Sequence, residues 1–299
     1  MAKNPVIVFF GSPVFGKVVL NKMIGEGFKV AAVVTQPDRS QGRGKKRLPT
    51  PVKSLAKEKK ITVYTPENKS QLKKLKTRLK KLKPDLFVVA SYGLIIPEGT
   101  LEIPAKGSLN VHPSLLPSYR GATPIQAAIL NGDTETGVTI MLMDERMDHG
   151  PLVAQKKVAL EPDETLATAT VKLAHLGGEL LVKTIPNYLK GEIIPQPQNH
   201  EKATYTKLLK KEDGKISWGS SNEKIERMLR AYQPWPGVWT TVGELAEQLD
   251  RDLKNQRHKN LKLKILAAHL ENGAIVMDTM QVEGKKPISF QDFIKGYLA

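Results

Sequence analysis

Two kinds of apolar pattern alternate along the chain. Short continuous runs come first: Val6–Phe10 (VIVFF), Lys29–Thr35 (KVAAVVT), Ile61–Tyr64, Asp85–Ala90 (DLFVVA), Gly137–Met143 (GVTIMLM) and Leu152–Leu160. Runs of this length and bulk fit buried strands of a parallel sheet. Between them lie segments with helical spacing: Lys17–Ile24, Thr50–Lys60, Thr123–Leu130 and Glu164–Leu189. Leu72, Leu75, Leu79 and Leu82 fall at i, i+3, i+7 and i+10, one stripe of an amphipathic helix, with lysines on the other faces and Pro84 to end it. Strands alternating with helices predict an α/β fold, a doubly wound and mostly parallel sheet.

The alternation fades after residue 190. Residues 191–206, rich in Pro, Gln and Asn, read as a linker between a first domain, 1–190, and a second, 207–299. In the second, Glu244–Asn260 reads as a charged segment, helical or disordered. Leu261–His269 and Ala274–Gln281 are its two convincing strands.

Composition bounds the class. The 299 residues contain no cysteine, which excludes disulfides, a thiol nucleophile and cysteine-based metal sites. The histidines lack ligand-like spacing, so no metal is expected. No apolar run approaches the eighteen residues of a membrane span, and the five apolar residues before Gly11 are too few for a signal peptide. These readings predict a soluble, cytoplasmic protein that does not engage membranes.

Charge is localised. The formal net charge is +16, and residues 39–83 hold 17 Lys and Arg against only Glu58 and Glu67. Within that region Gln36–Arg47 (QPDRSQGRGKKR) reads as a mobile loop whose glycines and basic residues cannot pack in a core. It suits phosphate contacts. For Lys69–Lys83 a solvated, lysine-rich helix face is at least as good a reading. The loop Gly11–Gly16 followed by Lys17 approaches a phosphate-binding loop. It fails because Val18 has no hydroxyl and Pro13 has no N–H to offer, so it reads as a tight strand-to-helix turn.

The chemistry gathers in Ser108–Gly121 (SLNVHPSLLPSYRG) and in Asp148 of MDERMDHGPL. Alternation puts Asn110 and His112 on one face of a strand that Pro113 ends. Asn can donate to a developing oxyanion, His can carry a proton, and Asp148 can orient the imidazole. The blander reading, which spacing alone favours, is a strand-end polar pair bonded to backbone and a turn aspartate.

A resemblance decides between them. Asn110-x-His112, then Ser114-Leu115-Leu116-Pro117 and Arg120-Gly121, then Asp148-x-Gly150-Pro151 resemble the signature of formyltransferases that use 10-formyltetrahydrofolate. The match is closest to the methionyl-tRNA formyltransferases. The resemblance implies a Rossmann-like catalytic domain, a linker and a small OB-like β-barrel, which this chain would carry in shortened form. It implies 10-formyltetrahydrofolate as formyl donor and initiator methionyl-tRNA as acceptor, used in translation initiation by a monomer. Asn110, His112 and Asp148 become the catalytic residues. The folate pocket would be lined by Tyr92, Gly93, Leu94 and Ile95, by Ser114, Leu115, Leu116 and Pro117, and by Met143 and Asp144. Arg43, with Lys45, Lys46 and Arg47, would hold the acceptor arm of the tRNA.

Two other functions stay open at this point. An amino sugar on a nucleotide could be the acceptor, although one small acceptor does not need so basic a loop. A tRNA-binding protein that lost the chemistry could keep the fold, although the intact Asn110, His112 and Asp148 argue against it.

Overall fold

The computed structural model of the chain describes residues 5–41 and 46–299. The first elements are β1 (Val6–Gly11), α1 (Val14–Gly25), β2 (Lys29–Val34), β3 (Arg39–Gln41), β4 (Lys46–Leu48), α2 (Pro51–Glu58), β5 (Thr62–Tyr64) and α3 (Lys69–Lys81). There follow β6 (Leu86–Ala90), α4 (Glu98–Leu101), β7 (Ser108–His112), β8 (Arg120–Gly121), α5 (Pro124–Asn131), β9 (Glu135–Leu142), β10 (Leu152–Ala159) and α6 (Leu166–Lys190). The last are β11 (Tyr205–Thr206), α7 (Asn222–Tyr232), β12 (Val238–Thr241), α8 (Val242–Gln248), β13 (Lys262–Glu271), β14 (Ala274–Val282), β15 (Ile288–Ser289) and α9 (Phe290–Tyr297).

The chain divides into two compact units. Ile125–Thr134, Leu160–Ala167 and Lys207–Ala299 form one, and the remaining described residues form the other.

The larger unit is built on a seven-stranded sheet of order β10-β9-β7-β6-β1-β2-β5. Neighbours are parallel except where β9 pairs with β7 and β10, so β9 alone opposes the rest. Helices cover both faces, as a doubly wound sheet requires. On one face Leu72, Leu75 and Leu79 of α3 pack with Val8, Phe10, Ala32, Val34, Phe87 and Val89. Asn68 starts α3 by accepting a hydrogen bond from the amide of Gln71. On the other face Gly177 of α6 lies against Val111 and Val138, with no room for a Cβ. Registered with Val89, Asn110 shares the α3 face of the sheet, and so does His112 two residues on.

Two segments depart from their predicted character. The flanks of the basic loop form an antiparallel hairpin, β3 on β4, where a structureless loop is expected. The strands, Arg-Ser-Gln and Lys-Arg-Leu, are three residues each and almost wholly polar, so the pairing leaves no apolar alternation in the pattern. Residues 191–206, read as a linker, are tied into the larger unit. Gln196 bridges to Leu152 and β11 pairs in parallel with β8.

The smaller unit holds an antiparallel sheet that contains both strands read from its sequence. It has four strands in linear order, β12-β13-β14-β15, so β12 and β15 are edges. The apolar stripe of α7, including Ile225, Met228 and Leu229, is buried, and α7 packs on β13 and β14. The charged segment after β12 opens with α8, where Thr241 and Glu244 cap each other's backbone amides. Trp239 lies beneath the Lys262 ammonium, 3.6 Å from ring centroid to Nζ. No helix among the described residues is long and apolar enough to cross a membrane.

Candidate active site

β7 carries Asn110 and ends at His112, and Asp148 meets both from a loop. Asp148 lies in the β9–β10 connection, which folds back over the face that carries Asn110 and His112. Its Oδ1 is 3.4 Å from Asn110 Nδ2 and 3.6 Å from His112 Nδ1. Its Oδ2 accepts a 2.8 Å hydrogen bond from the backbone N–H of Gly121. Asn110 and His112 are buried, and the Asp148 side chain is 14% exposed, so the carboxylate forms the open side of the cluster.

The imidazole is oriented from behind. His112 Nε2 is 3.0 Å from the Tyr119 carbonyl, an acceptor only, so Nε2 carries the proton in the neutral ring. Nδ1 is then the nitrogen that faces Asp148. Asp148 itself sits in left-handed backbone, φ +49°, an uncommon conformation that Asp tolerates better than most residues. Two residues later, a Cβ on Gly150 would lie 2.0 Å from the Leu142 carbonyl, so only glycine lets the loop close this way.

The Ser114–Pro117 segment is tightly engaged. Thr139 Oγ1 donates to the Ser114 carbonyl at 2.7 Å and accepts from the Leu116 amide at 3.1 Å. Gln155 Nε2 donates to the Leu116 carbonyl at 2.7 Å. The amides of Ser114 and Met143 are bonded to the His112 and Ser108 carbonyls. Leu116–Pro117 is a cis peptide.

The other residues singled out in the sequence fall into three groups. Leu94 and Met143 pack on the core cluster that contains Phe10, Phe87 and Tyr92, one from the loop after β6 and one from the loop after β9. Gly93 takes φ +85° beside Gln36, and Ile95 projects outward, 66% exposed. Asp144 is turned towards His149, Oδ2 to Nδ1 2.7 Å. In the basic loop, Arg43 and Lys45 lie outside the described residues, Lys46 starts β4, and Arg47 is exposed. No cluster of three metal-ligating side chains occurs among the described residues.

Sequence reasoning missed a buried network beside Asp148. Arg120 is 1% exposed, and its guanidinium bonds to Gln198, Tyr205 and His200. The His200 ring stacks on His149, centroids 4.1 Å apart. Partial desolvation, then the neighbouring His149 and Arg120, hold the His200 pKa below its ordinary value. Arg120 stands in the quoted signature, but its partners lie 78–85 positions away and no spacing rule links them.

Comparison with known proteins now gives the lineage. Residues 3–185 match the formyl transferase family, and residues 208–298 match the formyl transferase C-terminal domain. The chain belongs to the formyltransferase family. A methionyl-tRNA formyltransferase of Roseiflexus castenholzii is 42% identical to this formyltransferase over 97% of the chain and 95% of its own length. Among solved structures, the methionyl-tRNA formyltransferase from Clostridium thermocellum shares the fold at a TM-score of 0.59 and 18% identity, over 93% of this chain and 98% of that one. An N-formyltransferase from Helicobacter canadensis, in complex with folinic acid and dTDP-3-aminofucose, is alike at a TM-score of 0.64 and 19% identity, over 99% and 98%. The fold is thus shared with both solved structures. The acceptor is argued from sequence likeness and charge, not from shape.

Proposed function

We propose that this formyltransferase moves a formyl group from 10-formyltetrahydrofolate to the α-amine of initiator methionyl-tRNA, as a cytoplasmic monomer. The convergence of Asn110, His112 and Asp148 at the end of β7 carries the chemical reading. The 42% identity to a methionyl-tRNA formyltransferase over nearly the whole chain supports the acceptor, and so does the basic stretch 39–83.

The donor set suits a folate. The amide, imidazole and carboxylate lie on the sheet face whose core cluster Leu94 and Met143 pack against, and in this reading those apolar side chains take the flat ring while the polar groups take the formyl end. The Ser114, Leu116 and Met143 amides are already bonded within the protein. In this reading the pocket residues Tyr92–Ile95, Ser114–Pro117, Met143 and Asp144 hold the ligand through side chains and carbonyls.

Bound 10-formyltetrahydrofolate supplies the formyl carbon, which becomes bonded to the amine nitrogen as its bond to N10 breaks. Asn110 Nδ2 donates to the formyl oxygen as it becomes negative. Loss of one such donor typically costs about 2.7–4 kcal/mol of barrier. His112 Nδ1, with Nε2 fixed on the Tyr119 carbonyl, takes the proton that the amine must lose. Asp148 stabilises the imidazolium so formed, and the proton passes on to N10, so protons balance. The first domain, 1–190, holds this chemistry; residues 207–299 and the Arg43–Arg47 stretch grip RNA.

The test is formyl transfer by the purified protein to charged initiator methionyl-tRNA and, separately, to a nucleotide amino sugar. Formylation of the tRNA that weakens steeply with salt is expected, because each phosphate neutralised adds roughly 0.7–0.9 to the slope of log affinity against log salt. Transfer to the sugar alone would keep the chemistry and refute the acceptor. Binding of tRNA with no transfer to either would refute the enzyme.

A further inference from the structure

The mechanism uses the Asp148 carboxylate but gives no work to the buried side chains behind it. Arg120 is 1% exposed and none of its bonds described here goes to a carboxylate. A guanidinium withdrawn from water is expensive unless its donors are met. The group that meets two of them is neutral. Gln198 Oε1 accepts from Arg120 Nε at 3.2 Å and from Nη2 at 2.6 Å.

That contact decides which way the amide points. With Oε1 committed to the arginine, Nε2 must face the other way, and it donates to the Asp148 carbonyl at 3.0 Å and to the Gly150 carbonyl at 2.7 Å. These carbonyls lie in and just after the residue held at φ +49°. Left-handed backbone at a non-glycine residue is costly and persists only where its surroundings hold it. The same stretch fastens the other end of Asp148, whose Oδ2 sits on the Gly121 amide next to Arg120. Carboxylate and carbonyl of one aspartate are therefore both fixed from β8, one directly and one through Gln198.

We infer that Gln198 is a positioning residue for Asp148: its amide, oriented by Arg120, clamps the 148–150 carbonyls and holds the carboxylate at Asn110 and His112. The inference rests on the reading above in which Asp148 takes part in transfer. It also gives residues 191–206 a function beyond connection.

Gln198→Glu tests it, because the change separates the two ends of the side chain. The carboxylate keeps the acceptor for Arg120 and adds a charge pair, so the fold is not weakened there. The donor to the two carbonyls becomes a repelling oxygen. The expected result is a kcat reduced by about 10²-fold, the scale of an ångström-level misplacement. The charge pair gained at Arg120 and the bonds lost at the two carbonyls oppose each other, so the melting temperature should stay within a few degrees of the wild type, and KM for both substrates should stay within about twofold. Protonating the new carboxyl restores a donor. Activity relative to wild type should therefore rise as pH falls, which a purely structural role would not produce.

Gln198→Glu with wild-type kcat at neutral pH would overturn the clamp. So would a loss of activity that only follows the loss of folded protein. Asp148→Asn in the same assay keeps the two inferences apart. If it is fully active, the catalytic reading of Asp148 fails. If it is inactive while Gln198→Glu turns over normally, only the clamp fails.

Discussion

The larger unit carries two polar regions built on opposite principles. Around Asp148 the polar groups are buried and each is turned by a neighbour: Asn110 and His112 towards Asp148, His112 Nε2 to Tyr119, Arg120 to Gln198. On α3, and at Arg39 and Arg47 of the β3–β4 pair, the charges are exposed. Lys73, Lys74, Arg78, Lys80 and Lys81 point to solvent from a helix whose other face is core. Direction is everything in the first region and count is everything in the second. A buried group acts through one geometry, so one substitution removes it. An exposed charge acts through a shared, salt-screened field, and its neighbours cover for it.

The sharpest break in the comparison should come at His112. In the proposed mechanism it takes the amine proton, and general acid–base help contributes roughly 10²–10⁴-fold. His112→Ala is expected to lower kcat by about 10³-fold or more, with tRNA affinity within about twofold, read by single-turnover formylation and by filter binding. An effect of similar size on tRNA binding would mean that the histidine holds substrate and does not move a proton.

The second break runs through one helix. Leu79 is fully buried on α3, and Lys80 beside it is exposed. Leu79→Ala should destabilise the fold by about 2–5 kcal/mol. Lys80→Ala should stay within about 0.5 kcal/mol. Urea unfolding of both variants checks this, and equal losses would show that the lysine face also carries the fold.

How much of this was legible depends on the range over which each feature is encoded. The strands of the parallel sheet and the α3 stripe are written in periods of two and 3.6, and the structure places them within a few residues of their predicted bounds. The shared face of Asn110 and His112 followed from alternation alone. The nitrogen that His112 presents did not, because it is set by the carbonyl of Tyr119, a residue in left-handed backbone seven positions on. The Arg120–Gln198 contact spans 78 positions and leaves no local trace. Residues 191–206 look like a linker because Pro, Gln and Asn serve equally in a free tether and in a strap bonded to groups far away in the sequence, such as Arg120, Asp148 and Leu152. The β3–β4 pairing was hidden for a related reason, since its short strands are polar and carry no apolar alternation.

The exposed region predicts smaller, additive effects. Arg47→Ala in the hairpin should raise KM for charged tRNA severalfold, leave kcat and the KM for folate unchanged, and reduce the salt slope by about 0.7–0.9 if it meets one phosphate. A slope unchanged by removing Arg47 would assign that charge to solubility. Because such contacts are interchangeable, Lys74→Ala added to Arg47→Ala should reduce affinity additively. Changes in the Asp148 cluster should instead couple strongly in a double-mutant cycle.

The smallest expected effect tests where the buried region stops. Tyr92 packs edge-on against Phe10, centroids 5.5 Å apart, and is 3% exposed. Its hydroxyl has no hydrogen-bond partner among the described residues, and burial pushes its pKa upward, so it keeps its proton. A buried donor left unmet costs the fold about 1–3 kcal/mol. Every other polar group singled out around the site has a partner; this one stands in the loop expected to line the folate pocket. Tyr92→Phe removes the oxygen and almost no volume, and should raise stability by about 1 kcal/mol in thermal unfolding without ligand. If the hydroxyl is kept for the folate, the same variant should bind the donor severalfold more weakly. A more stable variant with unchanged KM for the donor would place Tyr92 in the core and end the pocket at Gly93.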